Sequence, residues 1–150
     1  EPTAGVDPIS RREFWALIRG MASEGTAIFV TTHYMDEAEH CDSLAFIYQG
    51  RLIAQGLPSA LKRELHGCLV EVEVDPGSLV RALAVLQAHP LAREAAMFGA
   101  KLHVTLDSRD SLPAVRAALD GSGITVRRMA DSVPSLEDVF VSLVAREVGA

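Results

Sequence analysis

The chain is short of several things that would have named a function class at once. It has two cysteines, Cys41 and Cys68, in 150 residues and no close-spaced pair of them. A disulfide framework or a cysteine-based metal knuckle is therefore excluded, and a reduced, cytosolic setting is the simplest reading. Its apolar runs are of strand length, as in Leu44-Ala45-Phe46-Ile47-Tyr48. None approaches the roughly 20 residues needed to cross a bilayer, so any membrane is reached through a partner. Net positive charge is also missing: the formal charge is −6 and the isoelectric point about 5.3. Arg11-Arg12 and Arg127-Arg128 are too short to act as basic arms, so no nucleic-acid partner is expected. There is no initiating Met, and the first residue, Glu1, already lies within a motif, so the chain is expected to be a piece of a longer one.

What is present is apolar and patterned. Hydrophobic residues make up 49% of the sequence, enough for one large domain or two small ones. Asp7-Pro8 is a helix start, with an acidic cap and a proline suited to the first helical position. Ile9, Trp15, Ile18 and Met21 follow at near-helical spacing up to Gly25. Residues 26–32, Thr-Ala-Ile-Phe-Val-Thr-Thr, are β-branched and almost wholly apolar, the pattern of a strand buried on both faces of a parallel sheet. Residues 34–41 read as a short acidic helix. Residues 43–48 and 51–54 read as a hairpin turning at Gln49-Gly50, and 57–66 as a helix.

Beyond Gly67 the pattern changes. Residues 68–74 alternate as a half-exposed strand. A helix to about residue 88, strands near 95–98 and 101–106, a helix from Ser111 and a strand over 124–129 complete the order βαββαβ. That order predicts a ferredoxin-like α+β sandwich. A last amphipathic helix over 135–147 opens on Ser135-Leu136-Glu137-Asp138, a capping pattern. The expected domains are 1–66 and 67–150.

Two stretches carry chemistry. Glu1-Pro2-Thr3-Ala4-Gly5-Val6-Asp7-Pro8 and Thr31-Thr32-His33-Tyr34-Met35-Asp36-Glu37-Ala38 resemble the catalytic edge of an ATP-binding cassette (ABC) ATPase. Gln49-Gly50-Arg51-Leu52-Ile53-Ala54-Gln55-Gly56 resembles the hairpin that follows that edge. Ser135-Leu136-Glu137-Asp138-Val139-Phe140 resembles an ending common in ATPase subunits of the ABC-2 exporter class. The resemblance implies that 1–66 is the C-terminal part of a P-loop ATPase core with a parallel sheet. Residues 67–150 are then an accessory domain. It implies that Glu1 orients the water attacking the γ-phosphate, a carboxylate role that suits phosphoryl transfer. Ala4, Gly5, Val6 and Asp7 match the loop that crosses the interface between two ATPase subunits, and His33 matches the switch histidine that contacts the γ-phosphate.

The same resemblance implies ATP and Mg²⁺ in the complete protein, a second ATPase subunit and membrane permease subunits as partners, and a cytoplasmic position on the inner face of the membrane. The sequence departs from the family's full set. It contains no Gly-rich loop ending in Lys-Ser/Thr and no Ser-Gly-Gly signature, so this chain alone is not expected to hydrolyse ATP or to hold a cofactor. A rival reading takes His33, Asp36, Glu37, His40, Cys41 and Asp42 as metal ligands. A solvated acidic face explains them more simply, and no metal site is assigned. A second function class stays open: a non-catalytic regulatory or dimerisation module that binds a small ligand or a partner protein.

Overall fold

Residues 68–74 alternate, with Val70, Val72 and Val74 on one face and Glu71 and Glu73 on the other, and the structure buries the valine face. The structure, a computed structural model, describes residues 3, 5–65 and 67–149. Strand β3 (Cys68–Val74) is the second-from-edge strand of a four-stranded sheet. It pairs antiparallel with β5 (Lys101–Leu106) on one side and with β6 (Val126–Asp131) on the other, and β4 (Ala92–Phe98) extends the sheet beyond β5. The order β4-β5-β3-β6, with every neighbour antiparallel, is what interleaving two βαβ halves produces. Helices α4 (Leu79–Gln87) and α5 (Leu112–Gly121) are the two crossovers. Their Ala82, Leu86, Val115 and Leu119 close over Val70, Val72, Val74, Leu102, Val104 and Leu106, all essentially without solvent contact. The strand enters this sheet at Gly67, where φ is +107° and a Cβ would stand 2.3 Å from the Leu106 carbonyl oxygen. Only glycine fits there.

The preceding elements are α1 (Pro8–Ser23), α2 (Met35–Ala38), the hairpin β1 (Leu44–Tyr48) and β2 (Arg51–Gly56), and α3 (Pro58–Arg63). The hairpin turns at Gln49 and Gly50, both with positive φ, as a tight two-residue turn requires. Helix α1 buries a single residue, Trp15.

Residues 26–32 correct the sequence reading. They carry no strand ladder, and Phe29 is 91% exposed. A strand exists only where a neighbour takes its N–H and C=O groups, and no described segment lies alongside to do so. Both sheets among the described residues are antiparallel, so the expected parallel-sheet core is not found here. The acidic helix expected over 34–41 shrinks to the four residues of α2.

Helix α6 (Leu136–Gly149) joins the two parts. The side chain of Asp138 accepts from the Ser135 N–H at 2.8 Å and the Ser135 hydroxyl at 2.6 Å, and the Asp138 N–H returns to that hydroxyl at 3.1 Å. This reciprocal cap is the one the sequence pattern predicts. Leu136 and Val139 then pack with Phe46 of β1 and Leu61 of α3 in a second small core, with Phe140 against Phe46 at 5.4 Å between rings. On the other flank, Asp138 meets His103 of β5 at 2.6 Å.

Candidate functional site

Of the predicted site residues, Glu1 and Ala4 lie outside the described residues. Gly5 is exposed with φ +72°, and the turn around it is closed by the Val6 N–H donating to the Thr3 carbonyl at 3.1 Å. Asp7 caps α1: one carboxylate oxygen accepts from the N–H of Ile9 at 2.9 Å and of Ser10 at 3.1 Å. The Ser10 hydroxyl, and then the backbone N–H groups, hold the Asp7 carboxyl below its ordinary value. His33 is exposed at the end of the 26–32 segment, its ring 4.1 Å from that of Tyr34.

What joins these two loops is a residue assigned no catalytic role from the sequence. Glu37 is 1% exposed. Thr3 Oγ1 donates to Glu37 Oε1, and Thr32 Oγ1 donates to Glu37 Oε2 at 2.8 Å. Thr3, 1% exposed, opens the turn that leads to Asp7, and Thr32 precedes His33. The Thr32 hydroxyl also accepts the Tyr34 N–H at 3.0 Å, so it pins the backbone on both sides of His33. The countercharge comes from Arg11 of α1. Its Nε lies 3.7 Å from Glu37 Oε1, its Nη1 lies 3.6 Å from Asp36, and its guanidinium lies 5.3 Å over the Tyr34 ring. Arg11 Nε makes no hydrogen bond, because at 3.7 Å it stands beyond hydrogen-bond reach of Glu37 Oε1. Glu37 is buried and Arg11 half-buried, so the guanidinium is the nearby positive charge that offsets the carboxylate.

The acidic-face reading of residues 36–42 holds for Asp36 and fails for Glu37. Among the described residues no three His, Cys, Asp or Glu side chains converge as a metal site needs. Burial, reinforced by Asp42 and Glu37, pushes the Cys41 thiol up, and burial with Asp131 does the same for Cys68. Neither is poised as a thiolate. One signal for Glu37 was present in the sequence: it is the Glu of the Glu-Ala pair four residues after His33. No local rule announced that its partners are Thr3 and Thr32.

An open groove of about 620 Å³ lies elsewhere, between α6, β4 and α4. Its walls are mainly apolar, with Met97, Phe140, Val141 and Val144 among them, and neither Asp7, His33 nor Glu37 lines it.

Comparison with known proteins adds the following. The model of the family described as ATP-binding protein DrrA1-3-like, C-terminal domain, matches residues 56–144. Nod factor export ATP-binding protein I of Rhizobium sp. (strain N33) is 36% identical over 151 residues, which cover 99% of this chain and 46% of that protein. The protein of the same description from Rhizobium meliloti is 38% identical over 151 residues, covering 99% of this chain and 42% of its own. The probable multidrug ABC transporter ATP-binding protein YbhF of Escherichia coli (strain K12) is 55% identical over 64 residues, 43% of this chain and 11% of its own. The chain therefore spans less than half the length of these curated relatives.

Proposed function

Because the chain belongs to the DrrA1-3-like C-terminal domain family of ATP-binding proteins, we propose that it is the C-terminal portion of the ATP-hydrolysing subunit of an ABC exporter. The observation that carries this reading is the likeness to the Nod factor export proteins, which runs through 99% of the chain and so takes in both motif stretches as well as the sandwich. The YbhF likeness adds a multidrug ABC transporter ATP-binding protein at higher identity over 64 residues.

In the complete protein Glu1 orients the attacking water and accepts its proton, a role in which positioning and charge outweigh covalent chemistry. His33 donates to the γ-phosphate, and the loop of Ala4, Gly5, Val6 and Asp7 faces the second ATPase subunit. The family implies ATP and Mg²⁺. The donors in this chain, one histidine at a loop tip and a set of carboxylates, fit the hydrolytic edge and not the phosphate cradle, which needs a Lys-bearing Gly-rich loop. That cradle belongs to the rest of the full-length subunit. No described helix is long and apolar enough to cross a membrane; the family resemblance supports coupling to transport through partner permease subunits at the inner membrane face. The sandwich supports the ATPase portion through α6, whose Leu136 and Val139 pack with Phe46 and Leu61, with Met35 and Ala38 of α2 against them.

The test is Glu1→Gln in the full-length subunit. Turnover of ATP falls by about a hundredfold or more while nucleotide binding persists, the loss typical of a removed general base. Unchanged turnover would overturn the role of Glu1 and with it the hydrolytic reading.

A further inference from the structure

Glu37 is a buried carboxylate with no place in the reaction as described above, yet it touches both loops that carry the reaction. Its two oxygens are divided between them: Oε1 takes the Thr3 hydroxyl from the loop that leads to Asp7, and Oε2 takes the Thr32 hydroxyl beside His33. Each threonine is in turn built into its own loop. The Thr3 carbonyl closes the turn at Val6, and the Thr32 hydroxyl accepts the Tyr34 N–H. A shift of either loop is therefore felt by the other through three covalently rigid atoms of one carboxylate, a length of chain too short to absorb motion by rotamer change. Arg11 neutralises the group and is stacked on Tyr34, so the clamp is held from the helix side as well.

We propose that Glu37 is a positioning residue that locks the subunit-interface loop (Gly5 to Asp7) and the switch segment (Thr32 to Tyr34) into one moving unit, so that His33 is placed only when the interface loop is placed. This rests on the reading that His33 and the Asp7 loop handle ATP. It goes beyond that reading, because Glu37 touches neither nucleotide nor water in it. A carboxylate is required rather than an amide. Both of its oxygens accept, whereas an amide offers one accepting oxygen and turns an N–H₂ toward the other threonine, whose O–H then loses its acceptor.

The experiment uses the full-length subunit with Glu37→Gln, Thr3→Val, Thr32→Val, the Thr3→Val/Thr32→Val double variant and Thr3→Ser, each assayed for kcat and KM. Circular dichroism and the cooperativity of urea unfolding report whether each variant is folded. The expected result is a fall in kcat of about ten- to a hundredfold for each single Val variant, the scale of a misplaced catalytic geometry, with KM for ATP within about twofold. The double variant is no worse than either single one, since both cut the same link. Thr3→Ser, which keeps the hydroxyl, restores kcat. Additive losses in the double variant, a rise in KM alone, or normal kcat in folded Glu37→Gln would overturn the clamp. If Glu37→Gln does not fold, the two threonine variants, which leave the ion pair with Arg11 intact, decide the question. Glu1→Gln in the same assay separates the two ideas: loss of turnover there with normal Thr variants refutes only the clamp, and normal turnover there refutes both.

Discussion

The four-stranded sandwich and the segment before it are both rich in apolar residues, but they bury them to different extents. In the sandwich, twelve apolar residues from Val70 to Val126 are no more than 6% exposed, and the apolar sheet face meets helix side chains supplied within the same 60-odd residues. In the earlier segment Ile9, Leu17 and Phe29 are 73%, 63% and 91% exposed, and the buried groups are Trp15, Phe46 and Leu61 and the polar pair Thr3 and Glu37. The first region is held by closure of its own ladders. The second is held by shared hydrogen bonds at Glu37 and by the packing of Phe46 and Leu61 on α6. Hydrophobicity alone decides neither outcome; what decides is whether the covering element lies near in the chain.

The strongest way to break the comparison is to cut one apolar side chain in each region. Leu102 is wholly buried and sits between Val72 and Met97 in the sheet register. Leu102→Ala should lower the stability of this chain by about 2–5 kcal/mol in urea unfolding followed by circular dichroism, the transfer loss plus the cavity left behind. Phe29→Ser should change it by no more than about 0.5 kcal/mol, because an exposed ring loses nothing on removal. Equal losses for the two substitutions would erase the distinction between the regions.

The next effect lies at their junction. Asp138 is 5% exposed and serves three donors at once: the Ser135 N–H, the Ser135 hydroxyl and the His103 ring. Asp138→Ala uncaps α6 and leaves His103 unpartnered on that side, at a cost of about 1–3 kcal/mol for buried polar groups deprived of their partner. Because α6 carries Leu136 and Val139 into the hairpin core, the Trp15 fluorescence transition should shift with the circular-dichroism transition. A shift confined to one of the two would mean that the regions unfold separately.

These elements also show how far a sequence can be read. The alternation over 68–74 reproduced β3 to the residue, 101–106 reproduced β5, and Ser135 with Asp138 reproduced the α6 cap, since each is written in local spacing. Residues 26–32 were read as a buried strand because their composition is that of one. Composition records what a segment can do when covered and not whether the cover is present. In the candidate site, Gly5, Asp7 and His33 were legible as motif positions, and the helix cap at Asp7 followed from Asp7-Pro8. The clamp at Glu37 was not. A threonine 34 residues away leaves no periodic trace, and an acidic residue on a four-residue helix looks solvated until its partners are placed.

The smallest expected effect separates the surface of the sandwich from its core. On the sheet face opposite α4 and α5, Lys101 lies 2.8 Å from Glu71 and 3.1 Å from Glu73. The hydrogen bond from Lys101 holds the Glu71 carboxyl below its ordinary value of 4.5, and Glu71 in turn raises the Lys101 ammonium above 10.5. The signs follow from which state binds more protons. Glu71 contributes stability that is present above pH 4.5 and lost as pH falls through its lower folded value. Lys101 contributes stability present below pH 10.5 and lost as pH rises through its higher folded value. Both groups are partly solvated, 21% and 41% exposed by side chain, so water and salt screen the pair and its worth is small. Lys101→Met should therefore make the fall in urea midpoint below pH 4.5 shallower and leave the core untouched at pH 7. Added salt should have the same effect on the unsubstituted chain and little on the variant. An unchanged acid limb in Lys101→Met would mean that Glu71 draws its shift from His103 and Arg128 instead, and that the closed core alone accounts for the stability of the sandwich.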